Sequence, residues 1–343
     1  DTAMQSRLAE MRDQNLARAL EPHLVQKRAI SRVDGVGGDF IPPVWLLEEY
    51  AAFARAGRPF ADAMRTIPLP ANTDTINIPR ITSGTATAIQ AVDGGSVQST
   101  DMATGTVTAP VATIAGQQDV ALQLLEQSPL NYDEIVFADL IADYNLQLDS
   151  QLWNGIGAAG QILGILNTIG FNAITYTDGT PTVPELYPKL ADALNQASNN
   201  RKMVPSHYWF HARRWFWAAS QLDSNNRPFF LAASNGPQNA MGLQMDAINQ
   251  GGPVSNVLAV PVMLDLNIPT NLGAGTNEDR VIATRMLDHI LFEGTPKARA
   301  MSEVLSGTLQ VRLQIYSYAA ATFGRFPAGT SIVAGTGLVT PPF

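Results

Sequence analysis

The sequence predicts an α+β fold in which one long helix sits among separate groups of β-strands. Three observations carry that prediction. Residues 66 to 118 hold only four charged side chains and alternate with period two at Thr75-Ile76-Asn77-Ile78-Pro79 and at Thr106-Val107-Thr108-Ala109-Pro110-Val111, which is the signature of strands. Within residues 119 to 155, Val136, Leu140, Tyr144, Leu148 and Leu152 recur every four positions, as one face of a helix does. Near the end, Leu309-Gln310-Val311-Arg312-Leu313-Gln314-Ile315-Tyr316 alternates again, as a half-buried strand should.

Composition narrows the function classes. Charged residues make up 15% of the 343, against about 25% in typical soluble domains. A surface so poor in charge is expected to be hidden in contacts with other chains. The formal net charge of -8 argues against a tight grip on nucleic acid, which needs a basic surface to displace counterions. Cysteine is absent, which excludes disulfides, thiolate metal sites and a thiol nucleophile. No run of about 18 apolar residues predicts a membrane helix, and no signal peptide opens the sequence. The first residue is Asp1, so proteolytic removal of a leader and a trimmed chain are both open readings.

In chain order, residues 1 to 34 predict a polar, mostly helical arm. Its apolar stripe of Met4, Leu8, Met11, Leu16 and Leu20 is thin, so it needs a partner surface. Asp34-Gly35-Val36-Gly37-Gly38-Asp39 is a breaker, and a helix is expected over 44 to 56 with Pro43 in its first turn. The alternating runs in 66 to 118 predict one long two-stranded hairpin with its tip near Asp93-Gly94-Gly95-Ser96. Pro79 and Pro110 place both strands at an edge. A lone hairpin is barely stable in water, so this one is expected to lie across something else. For the long helix, Ser128-Pro129 predicts the cap and first turn, Asp133 and Glu134 suit the N-terminal dipole, and Gly155 predicts the stop. Shorter helices are expected over 184 to 197 and 212 to 221, a turn at 223 to 228, a loop over 235 to 252, and strands at 281 to 283 and 331 to 334.

Candidate chemistry is thin. Gly155-Ile156-Gly157-Ala158-Ala159-Gly160 matches GxGxxG, with Asp178 downstream. A dinucleotide site needs a strand before those glycines and a helix after them, and here a long helix precedes them. His207 and His211 have metal-ligand spacing for a helix, but Tyr208 stands where a zinc protease has Glu, and Trp209, Phe210, Trp215, Phe216 and Trp217 surround them. The expected reading is an aromatic core or interface. Arg201, Lys202, Arg213 and Arg214 are expected to form a solvated rim. No catalytic, cofactor-binding or metal residue is assigned.

The order of parts resembles the tailed-bacteriophage major capsid proteins, which share the Hong Kong 97-type fold. The resemblance rests on the stretch from Leu124-Leu125-Glu126-Gln127-Ser128-Pro129 through Asp149-Ser150-Gln151-Leu152 to Gly155 and the glycine loop ending at Gly164-Ile165-Leu166. It rests also on Trp215 through Leu222-Asp223-Ser224-Asn225-Asn226-Arg227-Pro228-Phe229, where Asn226 replaces the usual Gly, and on Val333-Ala334-Gly335-Thr336-Gly337-Leu338. The resemblance implies an N-terminal arm at 1 to 38, the start of a peripheral domain at 39 to 66, and an extended loop at 67 to 117 that overlaps a neighbouring subunit. It further implies a spine helix at 118 to 160, an axial domain at 161 to 284, and closing strands of both domains at 285 to 343.

The function so implied is a structural subunit of an icosahedral phage capsid. It would assemble as hexamers and pentamers in the host cytoplasm, enclose DNA with weak non-specific contact, and reside in the virion without touching a membrane. A portal, a scaffold and a decoration or cement protein are expected partners, and no cofactor is. Asp74, Arg80, Asp93 and Asp101, the only charges of the loop, are the subunit-contact candidates. Some relatives cross-link their shells through a Lys on this loop. Here Lys occurs only at 27, 189, 202 and 297, so a non-covalent shell is expected. The alternatives are an encapsulin-type shell around protein cargo and an α+β enzyme using the glycine loop or the histidine pair.

Overall fold

A computed structural model describes residues 5–7, 10, 53–128, 131–222 and 253–341. The arm, apart from a few helical positions, and the breaker at 34 to 39 lie outside the described residues, as do the turn at 223 to 228 and the loop at 235 to 252. So does most of the helix expected over 44 to 56, whose last four positions, 53 to 56, are not helical.

Helix α1 (Pro59–Ala63) leads into strand β1 (Arg65–Pro68). Strands β2 (Thr75–Ser83) and β3 (Ala103–Pro110) form the expected hairpin, and β4 (Ala112–Ala121) follows. Helices α2 (Leu122–Gln127) and α3 (Tyr132–Asn154) come next. Then run β5 (Asn172–Thr175), α4 (Val183–Arg201), β6 (His207–Phe210), α5 (Ala212–Ser220), β7 (Ser255–Val257), β8 (Val260–Leu264) and β9 (Val281–Thr284). Strands β10 (Ile290–Glu293), β11 (Lys297–Met301), β12 (Gln310–Thr322) and β13 (Ser331–Ala334) close the chain.

Two mixed sheets organise these elements. The first has the order β1-β10-β12-β11, with β4 on the other edge of β12. The 13-residue β12 is its axis: it pairs antiparallel with β4 from Gln310 to Ala319, with β11 from Arg312 to Tyr316, and with β10 from Ala319 to Thr322. Alternation along β12 sends Leu313, Ile315 and Ser317 inward, and Leu313 packs with Val136 of α3 and Val120 of β4. The second sheet has the order β5-β13-β9-β6-β8-β7. Helix α4 lays Val183, Leu186, Leu190 and Ala193 on it, sharing a core with Ile174, Val281 and Val333.

The long helix differs from expectation at both ends. Strand β4 runs on to Ala121, and Ser128 closes the short α2 instead of opening α3. Ladder pairing of β4 with β12 overrides the helical propensity of 119 to 121. Helix α3 begins after Asn131, whose side chain makes no capping bond. Its 23 residues make a rod about 34 Å long. Val136, Tyr144, Leu148 and Leu152 are buried as the four-residue step predicts, and Leu140 is partly covered.

Gly155 ends the helix, but in extended backbone (φ -61°, ψ 141°) and not in the left-handed cap. Its glycine is required by crowding. The chain turns back at 155 to 164, and a Cβ on Gly155 would lie 2.0 Å from the Ile162 carbonyl oxygen and 2.7 Å from that of Gln151.

The two sheets meet at an aromatic nucleus. Phe60 of α1 stacks on Trp153 of α3 at 4.0 Å between centroids, meets Trp209 of β6 edge-on at 5.2 Å, and lies 6.1 Å from Phe323 beyond β12. All four rings are buried, and one apolar cluster joins them to Leu291, Ala319, Ile282 and Ile332 of both sheets.

Candidate subunit-contact surface

The hairpin divides into a seated base and a bare tip. Strands β2 and β3 pair antiparallel, from Thr75 opposite Pro110 to Ser83 opposite Ala103. Alternation turns Ile76, Ile78 and Ala109 to one side, where they pack on Ile290, Phe292 and Ala320 of the first sheet. Arg80 lies on the same side, and its Nη1 donates to the Gly324 carbonyl at 2.8 Å. Beyond this point every residue from 81 to 104 is exposed. The tip is held by its own turn, in which the Gly95 amide donates to Val92 O and Gln90 Nε2 to Gly95 O. It still leaves Ile89 97% and Val97 80% exposed, with Val92 and Met102 also bare.

The four charged candidates therefore do not form one site. Arg80 is a seat of the base. Asp74 is at the foot of β2, exposed, with its carbonyl accepting from Val111. Asp93 and Asp101 are exposed on the tip. None of the three carboxylates has a salt-bridge partner among the described residues. Their partnership with a neighbouring subunit remains a proposal.

The other motifs are absorbed by the fold. The glycine loop is a tight return after α3, with Ile156 bridged to Leu163 and Gly164 N donating to Gly155 O at 2.8 Å. A helix precedes it and no helix N-terminus faces it, so the dinucleotide geometry is missing. His207 and His211 are not on a helix. His207 opens β6, and His211 caps α5 by accepting the Arg213 amide at Nδ1. Burial lowers the pKa of both histidines. Among the described residues, no three His, Asp or Glu side chains converge as a metal site would require.

The arginines correct the expectation of a solvated rim. Arg214 is fully buried, with Nε 3.0 Å from Asp279 Oδ1, and Arg213 reaches Asp279 Oδ2 at 2.8 Å. Arg201 pairs with Asp288 at 2.8 Å and lies over the Phe326 ring. Only Lys202 stays in water, in the left-handed position that ends α4. Acids three or more strands away in sequence supply these partners, which adjacent spacing does not reveal.

Sequence comparison decides the family. The model of the phage capsid family matches residues 37–283, well over half of the chain. The chain belongs to the phage capsid family. This capsid subunit matches no curated protein in sequence. In structure it is similar to a chain of the capsid of a native GTA particle, with a TM-score of 0.69 at 11% identity over 88% of this chain and 98% of that one. It is similar also to a chain of Gordonia phage Cozz (TM-score 0.65, 15% identity, 89% and 95% covered) and to one of Mycobacterium phage Adephagia (TM-score 0.65, 14% identity, 90% and 99% covered). At such identities the likeness speaks of the fold, which is the expected Hong Kong 97-type α+β fold. The subunit is a structural protein of the tailed-phage major capsid type, and the encapsulin and enzyme alternatives are not favoured.

Sequence reasoning missed two features of this capsid subunit. One is an open face of the first sheet beside β11. The other is a buried carboxyl pair, Asp149 and Asp265. Both join residues far apart in sequence, and neither leaves a periodic signal.

Proposed function

We propose that this capsid subunit builds an icosahedral shell of hexamers and pentamers around DNA, and that the hairpin is its reach onto a neighbour. The observation that carries the reading is the contrast within one hairpin. Its base is seated by Ile76, Ile78 and Arg80, while its tip holds Ile89, Val92, Val97 and Met102 in water. An apolar tip on a rigid arm gains only when another surface covers it. The capsid of the native GTA particle, similar in fold, is a particle with C5 symmetry, which supports the same reading here.

On this proposal the first sheet with α3 is the peripheral domain, the second sheet with α4 is the axial domain, and residues 67 to 117 are the extended loop. Asp74, Asp93 and Asp101 meet basic groups of neighbours. DNA inside is contacted weakly, consistent with a net charge of -8. Portal, scaffold and a decoration protein complete the shell, which forms in the host cytoplasm and persists as the virion. The subunit's work is mechanical, and no residue is assigned a catalytic role.

Removing residues 84 to 104 tests the proposal. The shortened subunit should keep its circular-dichroism spectrum and thermal midpoint while closed shells vanish from electron micrographs. Normal closed shells would overturn it.

A further inference from the structure

The first sheet has two faces, and only one is fully occupied. Its inner face carries α3. On the outer face, the chain's own hairpin base covers the end formed by Ile290, Phe292 and Ala320. The rest of that face is bare. There Arg312, Gln314, Tyr316 and Tyr318 follow one another at every second position of β12, each at least partly exposed. Lys297 stands opposite Tyr316 and Arg299 opposite Gln314 on the edge strand β11, whose first four residues are exposed.

Charge on this face is one-sided. Arg312 is matched by Asp119 at 2.7 Å. Arg299 rests on the Tyr316 ring and hydroxyl, and neither it nor Lys297 has an acidic partner among the described residues. The exposed charges of the hairpin are the mirror image: Asp74, Asp93 and Asp101 are acids, and its one base, Arg80, is turned inward.

Resting on the reading of the hairpin as a reach between copies, we propose that the open face formed by Lys297, Arg299, Tyr316 and Tyr318 receives the hairpin tip of a second copy of this chain, with Asp93 and Asp101 against Lys297 and Arg299. The apolar side chains of the tip cover the two tyrosines, as Ile76 and Ile78 of the chain's own hairpin cover the adjoining part of the same face. The ion pairs fix register and direction, and the apolar contact supplies most of the adhesion. A single subunit cannot satisfy both halves, but a ring of copies satisfies all of them together.

Charge exchange tests the assignment. The double variants Asp93→Lys/Asp101→Lys and Lys297→Glu/Arg299→Glu should each remain folded, and each should lower the yield of closed shells by about tenfold or more. The four substitutions together restore opposite charges and should recover most of the yield. Two folded, assembly-deficient double variants whose combination gives no recovery would overturn the proposal, as would normal assembly by either alone. Wild-type chain that never forms shells would instead defeat the underlying reading of the hairpin. A second measurement uses the absence of native cysteine. Asp93→Cys with Lys297→Cys should give disulfide-linked multimers of this chain in oxidised shells. A link from Lys297→Cys to a different protein would assign the face to a decoration partner and overturn the proposal.

Discussion

The carboxyl groups of Asp149 and Asp265 meet in the core, one from the last turns of α3 and the other just past β8. Both are buried. Asp149 Oδ1 accepts the Ala61 amide at 2.9 Å and Oδ2 accepts Asn267 Nδ2 at 2.9 Å, while Asp265 Oδ2 accepts Trp153 Nε1 at 2.7 Å. Burial, and then the charge and hydrogen bond of Asp265, push Asp149 up to about 9, so it keeps its proton at neutral pH. The pair thereby ties α1, α3 and the second sheet at one point.

That proton makes stability depend on pH. The unfolded chain releases it near 3.8 and the folded chain near 9, so the folded state binds more protons between these values and stability falls as pH rises through them. His289 acts in the opposite sense. Burial lowers it from 6.5 to about 4, so its contribution is lost as pH falls through that range. The two slopes offset each other from about 4 to 6.5, and only Asp149 acts from 6.5 to 9. Thermal midpoints should be level in the first window and decline in the second. Asp149→Asn should abolish the decline and stabilise the protein at pH 8 by about 1–2 kcal/mol. A decline of unchanged steepness in the variant would show that another group causes it.

Gly155→Ala should cost about 2–4 kcal/mol, because the added methyl enters the space of two carbonyl oxygens. Gly160→Ala is the control: its Cβ would meet nothing within 4 Å, so only its positive φ of 78° opposes the change. Denaturant midpoints of the two variants compare crowding with backbone strain. Equal losses would remove the crowding argument.

Arg80→Glu should impair assembly more than folding. The substitution faces a carboxylate with the Gly324 carbonyl in place of a donor, which loosens the hairpin base on the sheet. The apolar packing of Ile76 and Ile78 remains, so the subunit should lose only about 1 kcal/mol. Shell yield should fall by about tenfold, since a displaced base misdirects every tip in the assembly. Comparable losses in thermal unfolding and in assembly would contradict this.

Mature particles boiled without reductant should run as a single band near 36.8 kDa. The hairpin carries no Lys, and the chain has no Cys, so neither an amide link from this loop nor a disulfide is available. A ladder of multimers would refute this and direct attention to Lys297, which stands on the open sheet face.

The sequence by itself determined the elements whose order is local and periodic. Alternation at 75 to 79 and 106 to 111 marked the hairpin, the four-residue step from Val136 to Leu152 marked the buried face of α3, and alternation from Leu309 marked β12. These patterns survive because a strand or helix buries one face whatever packs against it. The tertiary structure decided what depends on pairing between distant segments. Residues 119 to 121 became strand because β12 offered hydrogen bonds, Gly155 was needed because Ile162 returns onto it, and Arg214 was drawn into the core by Asp279. The same holds for the contact surface: composition exposed an uncharged hairpin, but only the fold set its base on one end of a sheet and left Lys297, Arg299 and Tyr318 open at the other, because β12 alone spans both ends.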